Sequence, residues 1–324
     1  LKALITGIAG FAGSHLAEYL LAHTELEVSG IIHRRDENIA HLQDRLALLR
    51  GDLRDADSVR SILAQVSPDY VFHLAAQAFV PPSWRDPWGT LENNIRPTLN
   101  ILEAVVALGI KPKILIVGSA DEYGLVREDE LPISEDAPLR PYSPYAVSKI
   151  AQDMLGYQYH VSHKLPIVRV RPFNHIGPRQ SEAFVAADFA KQIAEAERGL
   201  RQPVIKVGNL EAKRDFSDVR DIVRGYHLTL THGELGEVYN LGAEQAFSIR
   251  ELLDRLLGMS AIPLEVEQDP ARLRPSDVPI VVSDCTKIRK QTGWRPQIPI
   301  EQSLRAVLEY WRKRVASTHV KEVD

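Results

Sequence analysis

A doubly wound α/β fold with a second, smaller lobe follows from three features of this chain. The N-terminus reads as a strand, a glycine-rich turn and a helix. Apolar strand-like runs then alternate with helical stretches as far as residue 170. Past Arg171 that rhythm breaks, and proline and loop signals become denser. The first two features predict a parallel sheet with helices on both faces. The third predicts a mixed α/β lobe assembled from irregularly spaced elements.

Residues 2–6 (KALIT) form a short buried strand, followed by Gly7, Gly10 and Gly13 at spacing three and by a helix over residues 14–21. Glycine lets a tight turn approach a pyrophosphate, and the helix N-terminus adds free N–H groups and positive dipole character. Three spaced glycines alone describe an ordinary turn. With a strand before and a helix after, they predict a Rossmann-type dinucleotide site formed by Gly7, Gly10, Phe11, Ala12 and Gly13. The second strand is Val28 to Ile32. Where NAD-specific units often carry an acid for the ribose hydroxyls, this chain has His33, Arg34 and Arg35. A guanidinium complements a 2′-phosphate, so Arg34, with Arg35 beside it, is read as an NADP(H) determinant. The alternative is a solvated basic loop, and Asp36 leaves NAD(H) open.

Further strands run over 46–49, 70–74, 113–117 and 166–170. Ligands in such sheets lie beyond the carboxyl ends of the strands. Those ends are occupied by Asp52 and Leu53, by Leu74, Ala75 and Ala76, by Ser119, and by Asn174. Asp52 is placed to reach the adenine or, equally, to cap a turn. Asn94 to Leu108 carries Ile95, Leu99, Leu102, Val105 and Val106 at helical spacing, closed by Gly109. A second such helix starts at Tyr145 and continues through Ile150, Met154 and Tyr157. The expected domains are a dinucleotide lobe over 1–172 plus 216–243, a substrate lobe over 173–215 plus 244–315, and a frayed polar tail over 316–324.

The 324 residues allow a large core, and 44% hydrophobic with 25% charged residues is ordinary for a globular protein. A net charge of −4 gives no basic excess for nucleic acid or anionic membrane. One cysteine, Cys285, rules out an internal disulfide framework and suits a reducing, cytoplasmic setting. No run reaches membrane-spanning length, no secretory signal is visible, and little is expected before the first strand. No metal is expected.

Tyr145 and Lys149 stand four apart, on one helical face, 26 residues past Ser119. A nearby cation favours the phenolate, so Lys149 is expected to lower the Tyr145 pKa and make the phenol a proton donor near neutral pH. The Ser119 hydroxyl can hold the same substrate oxygen. Behind a dinucleotide loop, this order reads as hydride chemistry at a carbinol or ketone carbon.

The glycine spacing, with Ser119, Tyr145 and Lys149, resembles the extended branch of the short-chain dehydrogenase/reductase superfamily. The resemblance assigns those three residues as catalytic. It also implies a homodimer through the helices near 94–108 and 145–160. Three later segments narrow it: Arg171 to Arg179 (RPFNHIGPR), Lys206 to Phe216 (KVGNLEAKRDF) and Leu273 to Pro279 (LRPSDVP). Together they resemble the GDP-mannose branch, which holds GDP-mannose 4,6-dehydratases and GDP-4-keto-6-deoxy-mannose reductases. The resemblance implies that Asn174, Lys191, Asn209, Arg214, Arg274 and Asp277 handle a GDP-sugar.

The two activities part at one place. Dehydratases of this type follow their Thr with an Asp or Ser, then with the Glu that abstracts a proton beside the transient ketone. Here the run is Ser119, Ala120, Asp121, Glu122, Tyr123, Gly124. Ala120 leaves the acid position empty, and Asp121 is one methylene shorter than the expected base. Elimination needs both groups; ketone reduction needs only Ser, Tyr, Lys and a hydride. The expected activity is therefore NADPH-preferring reduction of GDP-4-keto-6-deoxy-mannose. Dehydration with Asp121 or Glu122 as auxiliary base is the alternative, and a non-catalytic dinucleotide sensor a third reading.

Overall fold

The computed structural model of the protein describes residues 1–33, 36–273 and 278–320. The large sheet has seven parallel strands: β1 (Lys2–Thr6), β2 (Glu27–Ile32), β3 (Ala47–Arg50), β4 (Tyr70–His73), β5 (Lys113–Val117), β6 (Ile167–Pro172) and, after three strands of the small lobe, β10 (Val238–Leu241). Their order is β10-β6-β5-β4-β1-β2-β3. The chain reverses direction across the sheet between β1 and β4, the place where such folds bind dinucleotides.

Alternation along each strand sends side chains to opposite faces. Ala3, Ile5, Phe72, Leu115, Val168 and Val170 pack beneath α1 (Phe11–His23) and α7 (Val219–His232). Leu4, Val71, Ile114, Ile116 and Ile167 pack with α2 (Ala56–Val66), α4 (Pro87–Leu108) and α5 (Pro144–His163). The short α3 (Val80–Arg85) precedes α4. Both faces are covered, which is why these strands read as unbroken apolar runs.

The small lobe contains β7 (Asn174–Ile176), α6 (Val185–Glu197), β8 (Val204–Val207), β9 (Lys213–Asp218), β11 (Ala246–Ser248), α8 (Ile249–Leu257), β12 (Glu265–Gln268), β13 (Ile280–Val281) and α10 (Ile300–Val320). Strand β9 pairs with β7, β11 and β13, and β8 pairs with β12. Phe189, Ile193, Leu252, Leu304, Leu308 and Trp311 form its separate core.

Two boundaries differ from expectation. Cys285, Ile288 and Trp294, expected in the substrate lobe, are buried in the core beneath α1 and α7. They belong to a segment built around α9 (Thr286–Thr292), and Trp294 Nε1 donates to the Asp221 carbonyl of α7 at 2.9 Å. Burial of one indole decides where this segment docks. The tail also starts later than expected, since α10 continues to Val320. Among the described residues no helix is long and apolar enough to cross a membrane.

Candidate active site

The dinucleotide cradle follows directly from β1, its turn and α1. Gly7 has a positive φ of 72°, and a Cβ there would lie 3.0 Å from the Ala75 backbone after β4. Only glycine permits that left-handed turn and that close approach. Gly10 caps α1 without any side-chain acceptor, so the first N–H groups of the helix, at Phe11, Ala12 and Gly13, point to the turn's mouth. The Ala75 N–H donates to Thr6 Oγ1 at 3.2 Å, and the Leu74 N–H to the Thr6 carbonyl at 3.3 Å. These bonds fix the Leu74–Ala75–Ala76 wall against β1. A glycine cradle of this shape, open at a helix N-terminus, fits a dinucleotide pyrophosphate.

Asp52 lies beyond β3 with Leu53. It accepts from Arg54 Nε at 3.1 Å and Nη2 at 2.7 Å. Hydrogen bonds from Arg54 hold its carboxyl down at about 2. Its turn role is visible in the Arg54 N–H, which it accepts at 2.9 Å. Arg34 and Arg35, like Arg274 and Asp277, lie outside the described residues.

Ser119 sits just past β5, where the chain enters a 3₁₀ turn over Ala120–Glu122. Tyr145 and Lys149 project from the first turns of α5 and are only 6% and 4% exposed. The Lys149 ammonium donates to the Val117 carbonyl at 2.7 Å and to Gln152 Oε1 at 2.9 Å. Burial lowers its pKa to about 8, while the Glu122 and Asp153 carboxylates act in the opposite direction.

The expected lowering of the Tyr145 pKa does not occur in this arrangement. Burial pushes the phenol well above its usual range, and the Asp121 and Glu122 charges add to that, against a hydrogen bond from Ser119. The Lys149 charge is already shared between a carbonyl and an amide. Tyr145 is thus held as a neutral phenol, the form that donates a proton.

Glu122 is not placed as a substrate base. It is fully buried, with Oε1 accepting the Ser119 N–H at 2.8 Å and Oε2 accepting Arg171 Nε at 3.0 Å. Asp121 remains beside the site, its N–H donating to Ser119 Oγ at 3.1 Å.

Two contributors escaped the sequence reading. Asn94 Oδ1 accepts the Gln77 N–H at 2.7 Å, and its amide donates to Ser148 Oγ at 2.8 Å, tying α4 to α5 beneath Tyr145. Its only signal was a polar residue opening an apolar stripe. His73 joins Thr6 Oγ1 at 2.7 Å and Thr98 Oγ1 at 2.9 Å. Thr98 already donates to the Asn94 carbonyl at 3.1 Å and accepts from Gln152 at 2.8 Å. His73 must therefore donate from Nε2 and accept at Nδ1, as a neutral ring. Burial holds its pKa down at about 3. A continuous hydrogen-bonded path thus runs from Lys149 to the glycine turn.

The expected sugar-nucleotide residues are spread over the small lobe. Asn174 is exposed at the start of β7. Lys191, on α6, meets Glu182 at 3.4 Å and Glu195 at 3.8 Å and lies over the Trp311 ring. Asn209 accepts the Glu211 N–H at 2.9 Å within a turn, and Arg214 donates to the Val278 carbonyl at 2.6 Å. The loop after β7 reaches back to the cradle. Arg179, at a positive φ of 71°, clasps Glu18 of α1 at 2.8 and 2.7 Å, and Phe11 stacks on His175. Burial would raise the Glu18 carboxyl, but hydrogen bonds from His15 and Arg179 hold it well below the usual range.

Comparison with known proteins shows the family. A family model described as GDP-mannose 4,6 dehydratase matches residues 4–307. The chain is 40% identical to the GDP-6-deoxy-D-mannose reductase of Pseudomonas aeruginosa, over 97% of this chain and 98% of that protein. It is 32% identical to a GDP-mannose 4,6-dehydratase of Vibrio cholerae, over 93% of this chain and 90% of that one. A solved structure of RMD from Pseudomonas aeruginosa in complex with NADPH superposes with a TM-score of 0.85 at 39% identity, covering 97% of this chain and 99% of that one. Fold, glycine cradle and Ser–Tyr–Lys arrangement together place this chain in the GDP-mannose 4,6-dehydratase family of extended short-chain dehydrogenases/reductases.

Proposed function

We propose that this protein reduces the C4 ketone of GDP-4-keto-6-deoxy-D-mannose to GDP-D-rhamnose (GDP-6-deoxy-D-mannose), with NADPH preferred and NADH possible. The observation that carries this is the turn after β5. Ala120 offers no acid, and the carboxylate of Glu122 is consumed by Ser119 and Arg171. A dehydratase needs an acid and a base beside the sugar, and the acid position is empty here, whereas carbonyl reduction needs only Ser119, Tyr145, Lys149 and a hydride. The similarity to a GDP-6-deoxy-D-mannose reductase supports the same choice.

The bound nicotinamide would supply a hydride to the carbonyl carbon. Ser119 would hold the ketone oxygen through its hydroxyl. Tyr145, kept neutral by burial, would give its proton to the alkoxide oxygen as that charge develops. Lys149, cationic and anchored to Val117 and Gln152, would stabilise the phenolate left behind. The Gly7 turn and the α1 N-terminus would hold the pyrophosphate, and Arg34 the 2′-phosphate. Asn174, Lys191, Asn209, Arg214, Arg274 and Asp277 remain the proposed contacts to the GDP-sugar.

Asp121 keeps GDP-mannose 4,6-dehydration as the second reading, because it stands beside Ser119 and acts on Tyr145. NMR analysis of products separates the two. The keto sugar with NADPH should give the 6-deoxy alcohol and one oxidised cofactor per sugar, while GDP-mannose alone should give nothing. Conversion of GDP-mannose without net cofactor oxidation would select the dehydratase. NADPH binding with neither conversion would select the sensor.

A homodimer through α4 and α5 is supported by Leu99, Val106, Val147, Met154, Tyr157 and Val161, apolar or aromatic side chains exposed on those two helices. A cytoplasmic location is supported by the buried free thiol of Cys285.

A further inference from the structure

Ser119 and the pair Tyr145–Lys149 reach the reaction from different elements: one from the turn after β5, the other two from α5. Something must hold them in register, because a misplacement of about 1 Å can cost on the order of 10² in rate. The sheet does not do this by itself, since the turn is a single 3₁₀ helix of three residues.

A buried charge group lies between the two elements. Asp153 is two turns beyond Tyr145 and one beyond Lys149 on the same face of α5. Arg171, from β6, donates from Nε to Asp153 Oδ2 at 2.8 Å, with Nη2 at 2.6 Å from the same oxygen. The same Nε reaches Glu122 Oε2 at 3.0 Å, and Nη1 donates to the Tyr123 hydroxyl at 3.2 Å. Arg169 closes the group through Asp153 Oδ1 at 2.5 Å. On the other side, Glu122 Oε1 takes the Ser119 N–H at 2.8 Å. The carboxyl lies flat against the chain: a Cβ on Gly118 would stand 2.3 Å from that oxygen. Backbone and side chain are thus fitted to each other at this point.

We propose that Glu122 is a positioning residue for ketone reduction, bracing the Ser119 turn against Arg171 and Asp153 so that the Ser119 hydroxyl stays in register with Tyr145 and Lys149. It is fully buried and reaches the reaction only through Ser119. The inference rests on the reductase reading given above. A glutamate is the right length: its carboxyl spans from the Ser119 N–H to the Arg171 guanidinium, and aspartate would fall a methylene short of one of them. Burial and the neighbouring Asp153 push the Glu122 carboxyl well above the usual range, against Arg171 and the Ser119 N–H. Glutamine keeps that length and the acceptor for the Ser119 N–H, and its amide nitrogen can turn toward Asp153, although it gives up the bond accepted from Arg171.

The test compares Glu122→Leu, Glu122→Asp and Glu122→Gln, each alone and with Ser119→Ala. Readouts are kcat and KM for the keto sugar, NADPH affinity by fluorescence, and Tm. Glu122→Leu and Glu122→Asp should lower kcat about 10-fold or more, with KM and NADPH affinity within about threefold. Glu122→Gln should recover most of that loss. On a Ser119→Ala background, Glu122→Leu should cost nothing further, because the residue acts through Ser119. If the leucine variant does not fold, the Asp and Gln variants decide. Wild-type kcat in the Leu or Asp variant, no recovery with Gln, or losses that multiply with Ser119→Ala would each overturn the proposal while leaving the reductase reading standing. Absence of ketone reduction by the unaltered protein would overturn the reductase reading, and this proposal with it.

Discussion

The floor of the candidate active site and the small lobe are built on opposite principles. Around Tyr145 and Lys149 nearly every polar group is buried and has named partners: Lys149 with Val117 and Gln152, Asn94 with Gln77 and Ser148, His73 with two threonines. In the small lobe two of the described candidates, Lys191 and Arg214, are partly exposed cations held in salt bridges or on carbonyls. Buried networks are costly to leave incomplete and therefore specify one geometry. Exposed ion pairs contribute about 0–1 kcal/mol and exchange readily for a phosphate. Rate should accordingly be sensitive to the floor and affinity to the lobe.

The sharpest break in that contrast is Tyr145→Phe. It keeps the buried volume and removes the proton donor, so kcat should fall by about 10²–10⁴, with NADPH affinity by fluorescence titration nearly unchanged. Near-normal turnover would mean that another group protonates the alkoxide.

The next effect concerns stability. His73 is neutral in the fold, with its pKa near 3 against 6.5 in a free ring. Below pH 6.5 the unfolded chain takes up a proton that the folded one refuses. The stability from this site is complete above pH 6.5 and is lost progressively as pH falls toward 3. Between pH 6.5 and 4 the loss amounts to about 3 kcal/mol. Urea denaturation of wild type and His73→Gln across that range should show a slope shallower by about one proton in the variant. Equal slopes would mean that His73 titrates normally.

Cofactor choice comes third. Arg34→Glu should depress NADPH use relative to NADH by about 10-fold or more, because a charge-assisted bond worth about 1.5–3 kcal/mol becomes a repulsion. Equal use of both cofactors by wild type, unaltered by the substitution, would return Arg34 to the solvated loop.

The smallest effect is expected in the lobe. Lys191→Ala should raise KM for the GDP-sugar about 3- to 10-fold, the order of one exposed phosphate contact, and leave kcat and Tm nearly as they were. An unchanged KM would make Lys191 only the surface partner of Glu182 and Glu195.

What the chain determined by itself is local in sequence. The glycine turn, the apolar strands and the Tyr145–Lys149 spacing are each written within a few residues, and periods of two and about four are enough to read them. The α/β class and the Ser119, Tyr145 and Lys149 positions were legible for that reason. Tertiary structure decided whatever joins distant segments. Glu122 meets Arg171 across 49 residues and Thr6 meets His73 across 67. Neither separation leaves a periodic trace, so a glutamate that looked like a base became a brace, and an unremarked histidine became a neutral core ring. Trp294 likewise carried its segment to the large lobe, because a buried indole needs both an apolar bed and a hydrogen-bond acceptor, and α7 offers both. The direction of the Tyr145 shift was beyond sequence for the same reason: spacing shows that a cation is near, and only packing shows that burial outweighs it.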